Sequence, residues 1–165
     1  MRRSLLAILA VLLAAGCQDA PAGPVAVRNP DYLVARPIRR EADAEHTIRV
    51  DLPMAGGGYG FAATAPLLDM SSFDLGRSKF FGDRTSTVGP AAIWIPVRPE
   101  ASARLQQWSA RAATNGDLLG VFLNGKLVSA PRMHTAVGGG IVVPVASKSD
   151  GDAVLRTLRN GGAPG

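Results

Sequence analysis

The clearest hydrophobic pattern in the chain is the stretch Leu118 to Pro131, LLGVFLNGKLVSAP, in which two apolar runs flank Asn124-Gly125. That dipeptide takes the two positive-φ positions of a type I′ turn, whose twist matches antiparallel strands, so the pattern predicts a β-hairpin. A two-residue loop sets the register: Leu123 opposite Lys126, Phe122 opposite Leu127 and Val121 opposite Val128. Leu119, Val121 and Val128 then share one face, and Leu118, Phe122 and Leu127 the other. Neither face is polar. A ribbon of this kind is marginal in water by itself, so it belongs inside a larger sheet with at least one face covered by helices.

Other periodic segments surround it. Thr47 to Leu52 alternates, with Ile48, Val50 and Leu52 on one side, and reads as a half-buried strand. Phe61 to Thr64 reads as its return, after a glycine-rich turn that lacks the ending a phosphate-binding loop requires. From Pro66 to Val88 phenylalanines and leucines are scattered among polar residues, which suggests a short helical turn near residues 69 to 75 with the aromatics plugging a core. Ala91 to Val97 is a strand in which Ile93, Ile95 and Val97 face one way and Trp94 the other. Pro96 removes a ladder donor, so it marks an edge or the end of the strand.

A helix is expected from about 99 to 114. Pro99 and Glu100 suit its first turn, Ala101, Leu105, Trp108 and Ala112 form its apolar stripe, and Asn115-Gly116 stops it. After the hairpin, Arg132 to Gly140 is a loop and Ile141 to Val145 a strand. Ser149 is positioned to cap a helix from about 150 to 160, with Asp152 three residues on. Val154, Leu155 and Leu158 would be its buried face, and Gly161-Gly162 its end. The fold class that follows is α+β: an antiparallel sheet with two helices on one face, broadly ferredoxin-like.

The first residues change the compartment. A basic start, the apolar run Leu5 to Leu13, and Ala14-Ala15-Gly16-Cys17 have the layout of a secretory signal, with an apolar part too short to span a bilayer as an anchor. The cleavage region resembles the lipobox of bacterial lipoproteins, although Ala14 stands where leucine is commoner. On that reading residues 1 to 16 are removed and Cys17, the single cysteine, carries the lipid. An ordinary signal peptide with an unrelated cysteine is the alternative. Residues 17 to 46, with Pro21, Pro24, Pro30 and Pro37 and no apolar periodicity, read as a flexible tether in which Tyr32-Leu33-Val34 adds at most a short edge strand. The domain proper is then 47 to 162.

Composition adds a limit. The chain has 165 residues, 47% of them apolar, enough for one modest core. Removing Arg2 and Arg3 with the signal leaves 16 basic against 13 acidic side chains, a formal charge of +3 instead of +5. The basic residues are dispersed and the compartment is exported, so nucleic acid is not an expected partner. Gln18 and Asp19 after the lipidated cysteine favour an outer membrane, where one is present, over retention at an inner one.

The order strand, helix EASARLQQWSARAATNGD, hairpin LLGVFLNGKLVSAP, glycine-rich loop, strand and closing helix GDAVLRTLRNGG resembles the head subdomain of the first periplasmic domain of the SecD/SecDF family, accessory subunits of bacterial preprotein translocase. The most specific phrase is the hairpin ending in Ser129-Ala130-Pro131. Coverage runs from about 60 to 162 and is strongest from 91 to 162. The resemblance implies contact with exported polypeptide or with translocon and envelope components. It does not carry over proton-driven transport, which in that family uses membrane helices bearing ionisable residues.

Chemistry in the sequence is sparse. His46 falls in the expected tether and His134 in a loop, neither with a partner at metal-ligand spacing, so no metal or cofactor is expected. Ser129 and His134 are close enough to suggest a nucleophile and base, but no nucleophile elbow or third group accompanies them. Asp150 and Asp152 are accounted for by a helix start. The expectation is therefore a non-catalytic protein, with Trp94, Arg132 and His134 as candidate protein-contact residues and Trp108 in the core. A structural envelope lipoprotein with no export role, and an exported hydrolase, are the competing readings.

Overall fold

The computed structural model describes residues 25–53, 58–81 and 91–163, the side chain of Phe81 excepted. Eight strands and two α-helices follow the order β1 (Leu33–Arg39), β2 (His46–Asp51), β3 (Tyr59–Ala63), β4 (Lys79–Phe81), β5 (Ala91–Pro96), α1 (Pro99–Asn115), β6 (Leu118–Leu123), β7 (Lys126–Ser129), β8 (Gly140–Val145) and α2 (Lys148–Arg159). Two single 3-10 turns, Met70–Ser72 and Leu75–Arg77, lie between β3 and β4. Every strand pairing is antiparallel. The α+β class with antiparallel strands and two helices is what the sequence pattern anticipates.

The strands divide between two sheets, of order β2-β3-β1-β6-β7 and β4-β5-β8. The hairpin and the strands on either side of it in sequence therefore do not share one sheet. A single core closes the space between them. It takes Leu33 and Ala35 from β1, Leu119 and Val121 from β6, Ile93 and Ile95 from β5, Val143 from β8, Leu105 from α1 and Leu158 from α2. Phe73, fully buried, plugs it from the turn region, as its position among polar residues suggested. Both helices contribute to this core. A second cluster, which includes Ile38, Leu52, Leu118 and Phe122 and takes nothing from either helix, covers the other face of the five-stranded sheet.

The hairpin forms around Asn124 (φ 50°) and Gly125 (φ 76°) with Leu123 opposite Lys126 and Phe122 opposite Leu127. Val121, however, faces Ser129, because a bulge at Val128 inserts one extra residue. The expected sharing of faces survives the bulge. Leu119, Val121 and Val128 meet the main core, and Leu118, Phe122 and Leu127 the second.

Helix α1 runs as the apolar stripe predicts and ends at Gly116, in the left-handed region at φ 76°. Helix α2 starts earlier than expected. Ser147, not Ser149, is its N-cap, its hydroxyl accepting from the Asp150 amide at 3.1 Å, while Asp152 pairs with Lys148 at 2.6 Å. The earlier serine wins because it places Asp150 in the first turn, where its carboxylate also accepts from the Ser147 hydroxyl at 2.7 Å.

The largest correction concerns the expected tether. Residues 33–39 form β1, the centre of the larger sheet, paired with β6 from Leu33↔Leu123 to Ile38↔Leu118. Leu33 and Ile38 are both fully buried. Pro37 cannot donate to a ladder, which conflicts with a central position. The structure resolves the conflict locally. The register that pairs Ile38 with Ala62 and Arg39 with Phe61 would oppose Pro37 to Ala63, and Arg36 supplies the missing donor, its Nη1 reaching the Ala63 carbonyl at 2.9 Å and also the Thr64 carbonyl. On the same side of β1, the Ala35 amide and carbonyl are taken by Leu68 and Leu67. Strand β2 is a sheet edge whose register shifts between His46 and Ile48, and Ile48, expected on the buried side, is 40% exposed.

Two glycines shape the second cluster. A Cβ at Gly120 would collide with Cδ1 of Ile38 and stand 3.0 Å from Cε2 of Phe122, and one at Gly60 would stand 2.6 Å from Cγ2 of Ile38. Ile38 thus lies flat across the sheet in space that only hydrogen leaves open. Substituting Gly120→Ala should destabilise the fold by about 1–3 kcal/mol through overpacking, and combining it with Ile38→Val should cost less than the sum of the two, as measured by denaturant unfolding. Arg36→Met should cost about 1–3 kcal/mol in the same assay, because the Ala63 carbonyl then loses its donor.

Candidate functional site

Cys17 lies outside the described residues, so the lipidation reading has no structural counterpart here. The three contact candidates sit apart from one another in role. Trp94 projects from β5 away from Ile93 and Ile95 and is half-buried, its ring lying across Gly139 and Gly140 of the loop that leads into β8. Arg132 is exposed, its guanidinium covering Gly116 at the C-terminal end of α1, where the helix dipole favours a cation. His134 is exposed in the same 131–139 loop. No hydrogen bond joins His134 to Ser129 among the described residues. Trp108 is half-buried and packs against the main core.

His46 departs from its expected place. It is 3% exposed at the start of β2, with Nδ1 2.8 Å from Oδ1 of Asp43. The Asp43 carboxylate also accepts from the Glu45 and His46 amides, so residues 43 to 46 form an Asx-type turn that launches the strand. Arg39 extends the network, 2.9 Å from Asp43 and 3.4 Å from Asp117. Bonding to the His46 side chain, then to the His46 and Glu45 amides, holds the Asp43 carboxyl far below the ordinary aspartate range. Arg39 is correspondingly raised, first by its bond to Asp43.

This arrangement orients an imidazole, but Nε2 of His46 is buried and, among the described residues, without a partner. Among the described residues it meets no hydroxyl, and no group of three ligating side chains is placed to hold a metal. The pair braces the corner before β2, with the imidazole buried and the carboxylate exposed. The signal was present as Asp43 three residues before His46, immediately ahead of an alternating strand.

Three of the concave surfaces formed by the described residues exceed 500 Å³. A cleft of about 540 Å³ lies between Arg39, Asp117 and Arg132, and one of about 650 Å³ between His46, Trp108 and Arg111; both have polar rims. The third, of about 610 Å³, is lined mostly by apolar groups, including Val121, Val128 and Ala130 on one side, with Ser129 among them, and Ile141, Val142 and Pro144 on the other. It lies where β7, an edge of one sheet, approaches β8, an edge of the other. Sequence alone could not show it, since it exists only because the strands divide between two sheets.

Ser109 steadies one side of this third surface. Fully buried on α1, its hydroxyl accepts from the Val137 amide at 2.8 Å and lies 3.2 Å from the Val137 carbonyl, so the 131–139 loop is tied to the helix. The apolar stripe read from sequence passed over Ser109, because a serine there looks like a break in the pattern.

The Asp43 network has a pH consequence. A carboxyl depressed in the folded state contributes stability above its unfolded value, near 4, and loses it as pH falls through the folded value. Asp43→Asn should therefore lower the thermal midpoint at pH 7 and reduce its decline between pH 4 and the acid limit, as followed by circular dichroism.

No protein-family model matches this chain, and no curated protein does. Solved structures do. SecDF, described as a membrane component that enhances protein export, superposes with a TM-score of 0.57 at 18% identity, over 80% of this chain and 63% of that one. SecDF in a super-membrane-facing form superposes with a TM-score of 0.53 at 18% identity, over 79% of this chain and 19% of that one. The domain has a SecD/SecDF-like fold, and the chain spans less than two thirds of the length of the structures it matches.

Proposed function

We propose that this chain is a non-catalytic envelope protein, exported and held to a membrane by lipid at Cys17, whose SecDF-like domain binds polypeptide in connection with protein export. The observation that carries the reading is the SecDF-like fold over 80% of the chain, SecDF being a component that enhances export. The order of helix, hairpin and closing helix supports the head subdomain as the part represented.

The anchor reading rests on the signal layout and on Cys17 following Ala14-Ala15-Gly16. Lipid chains give durable attachment because each buried CH₂ contributes about 0.8 kcal/mol. Among the described residues no helix is long and apolar enough to cross a membrane. Export assistance by this domain would then act through binding, on the periplasmic side, with no proton-driven step of its own.

Binding of an unfolded, reduced polypeptide or of a translocon component, measured by calorimetry and pull-down, is the expected result; binding neither would refute the reading. Cys17→Ser should move the protein from the membrane to the soluble fraction in its native host. If deletion of the gene leaves secretion normal and weakens the envelope, a structural lipoprotein role is the correct one instead.

A further inference from the structure

Strand β8 is the edge of its sheet, and its register shows which backbone groups that edge offers. The Val97 amide donates to the Gly139 carbonyl at 3.2 Å, and pairing continues through Ile95↔Ile141 and Ile93↔Val143. Antiparallel partners alternate between bonded and non-bonded pairs, so the odd-numbered residues of β8 turn their amides and carbonyls toward β5. Gly140, Val142 and Pro144 consequently turn theirs outward. All three line the apolar groove of about 610 Å³, and no backbone hydrogen bond joins β8 to β7 across it among the described residues. The free groups are the Gly140 and Val142 amides and the carbonyls of Gly140, Val142 and Pro144. Pro144 lacks its amide, which ends the donor row at two.

The opposite wall is apolar, with Val128, Ala130 and Pro131 of the β7 segment, and Val137 is exposed at the rim. The stretch that supplies every lining residue but Pro53 carries charge of one sign. From Leu118 to Ser149 there is no carboxylate side chain, whereas Lys126 and Arg132 stand exposed at the two ends of the β7 segment. Lys148, the other cation of this stretch, is paired with Asp152.

We propose that this groove is a docking site for an extended, apolar polypeptide segment flanked by acidic residues, which adds as a strand to the open edge of β8. The inference rests on the polypeptide-binding reading above and names the site for it. Backbone bonds to Gly140 and Val142 hold any sequence in extended form, alternate side chains enter the apolar groove, and Lys126 and Arg132 attract carboxylates at the ends. The other long edge, β2, is unsuited to the same occupant, since it presents Arg49 and Asp51 and leaves Ile48 standing alone.

The test uses the full chain purified in detergent and two fluorescent peptides of alternating valine and threonine, one with glutamates at both ends and one with lysines, in anisotropy titrations. The glutamate peptide should bind at least tenfold more tightly than the lysine peptide. Val142→Pro removes an outward amide that the sheet does not use, and should weaken that binding at least tenfold with an unchanged circular dichroism spectrum. Tyr59→Ser, on β3, should leave it unchanged. The double reversal Lys126→Glu with Arg132→Glu tests the same site on exposed positions, and should invert the preference between the peptides. If unfolded polypeptide binds equally well to wild type, Val142→Pro and the double reversal, the groove assignment falls and the binding reading stands. If neither peptide nor unfolded polypeptide binds wild type, both fall. A dimer in sedimentation that the glutamate peptide does not dissociate assigns the groove to a second copy and overturns the proposal.

Discussion

The pairing of β1 with β6 is the interaction on which the remaining structure depends. Six consecutive residue pairs join Leu33–Ile38 to Leu118–Leu123. A segment from the start of the described chain is thereby set beside the arm of a hairpin more than eighty residues later. Loop closure over such a distance is entropically unfavourable before contacts form. What offsets it is burial on both sides of the joined strands, with Leu33, Ala35, Leu119 and Val121 in the main core and Val34, Ile38, Leu118 and Phe122 in the second. An end-to-end contact reinforces the closure. The Arg28 and Asn29 amides both donate to the Gly161 carbonyl just beyond α2, at 2.8 and 2.9 Å.

This central pair also explains the placement of polar groups. Pro37 leaves one carbonyl without a ladder donor, and Arg36 reaches round to satisfy it. Arg39, at the end of the same strand, joins Asp43 to Asp117, linking the turn before β2 to the segment between α1 and β6. Asp43 in turn holds His46. The charged residues of this region are therefore structural braces, each meeting a need created by a neighbouring backbone group. Surface ion pairs contribute little individually, so the importance of the set lies in positioning a buried imidazole and a strand start.

Functional capacity follows from the division into two sheets. Because β7 and β8 are each the outermost strand of a different sheet, their backbones stop short of one another and leave an apolar groove. Ser109 fixes the loop beside it. A SecDF-like fold built in this way carries an apolar groove at the seam of its two sheets. The open edge is a property of backbone arrangement, while the apolar lining of the groove brings side-chain preference.

Local physics made much of the fold legible. Asn124-Gly125 determined a hairpin because two adjacent positive-φ residues bend a chain in only a few ways, and Gly116 ended α1 for a related reason. The stripe of Ala101, Leu105 and Ala112 and the alternation of Ile93 and Ile95 announced buried faces, since burial follows the period of the element. Tertiary structure decided what depended on distant partners. It made Leu33–Arg39 a central strand through β6 and the Arg36 donor, bulged β7 at Val128, and buried the His46 side chain. It also separated β6 from β5, and with that created the groove. The physical reason is common to all of these. Propensity and period specify a residue's own backbone and the side it hides, whereas the identity of a strand's neighbour, and so which edges remain open, is set by packing between segments remote in the chain.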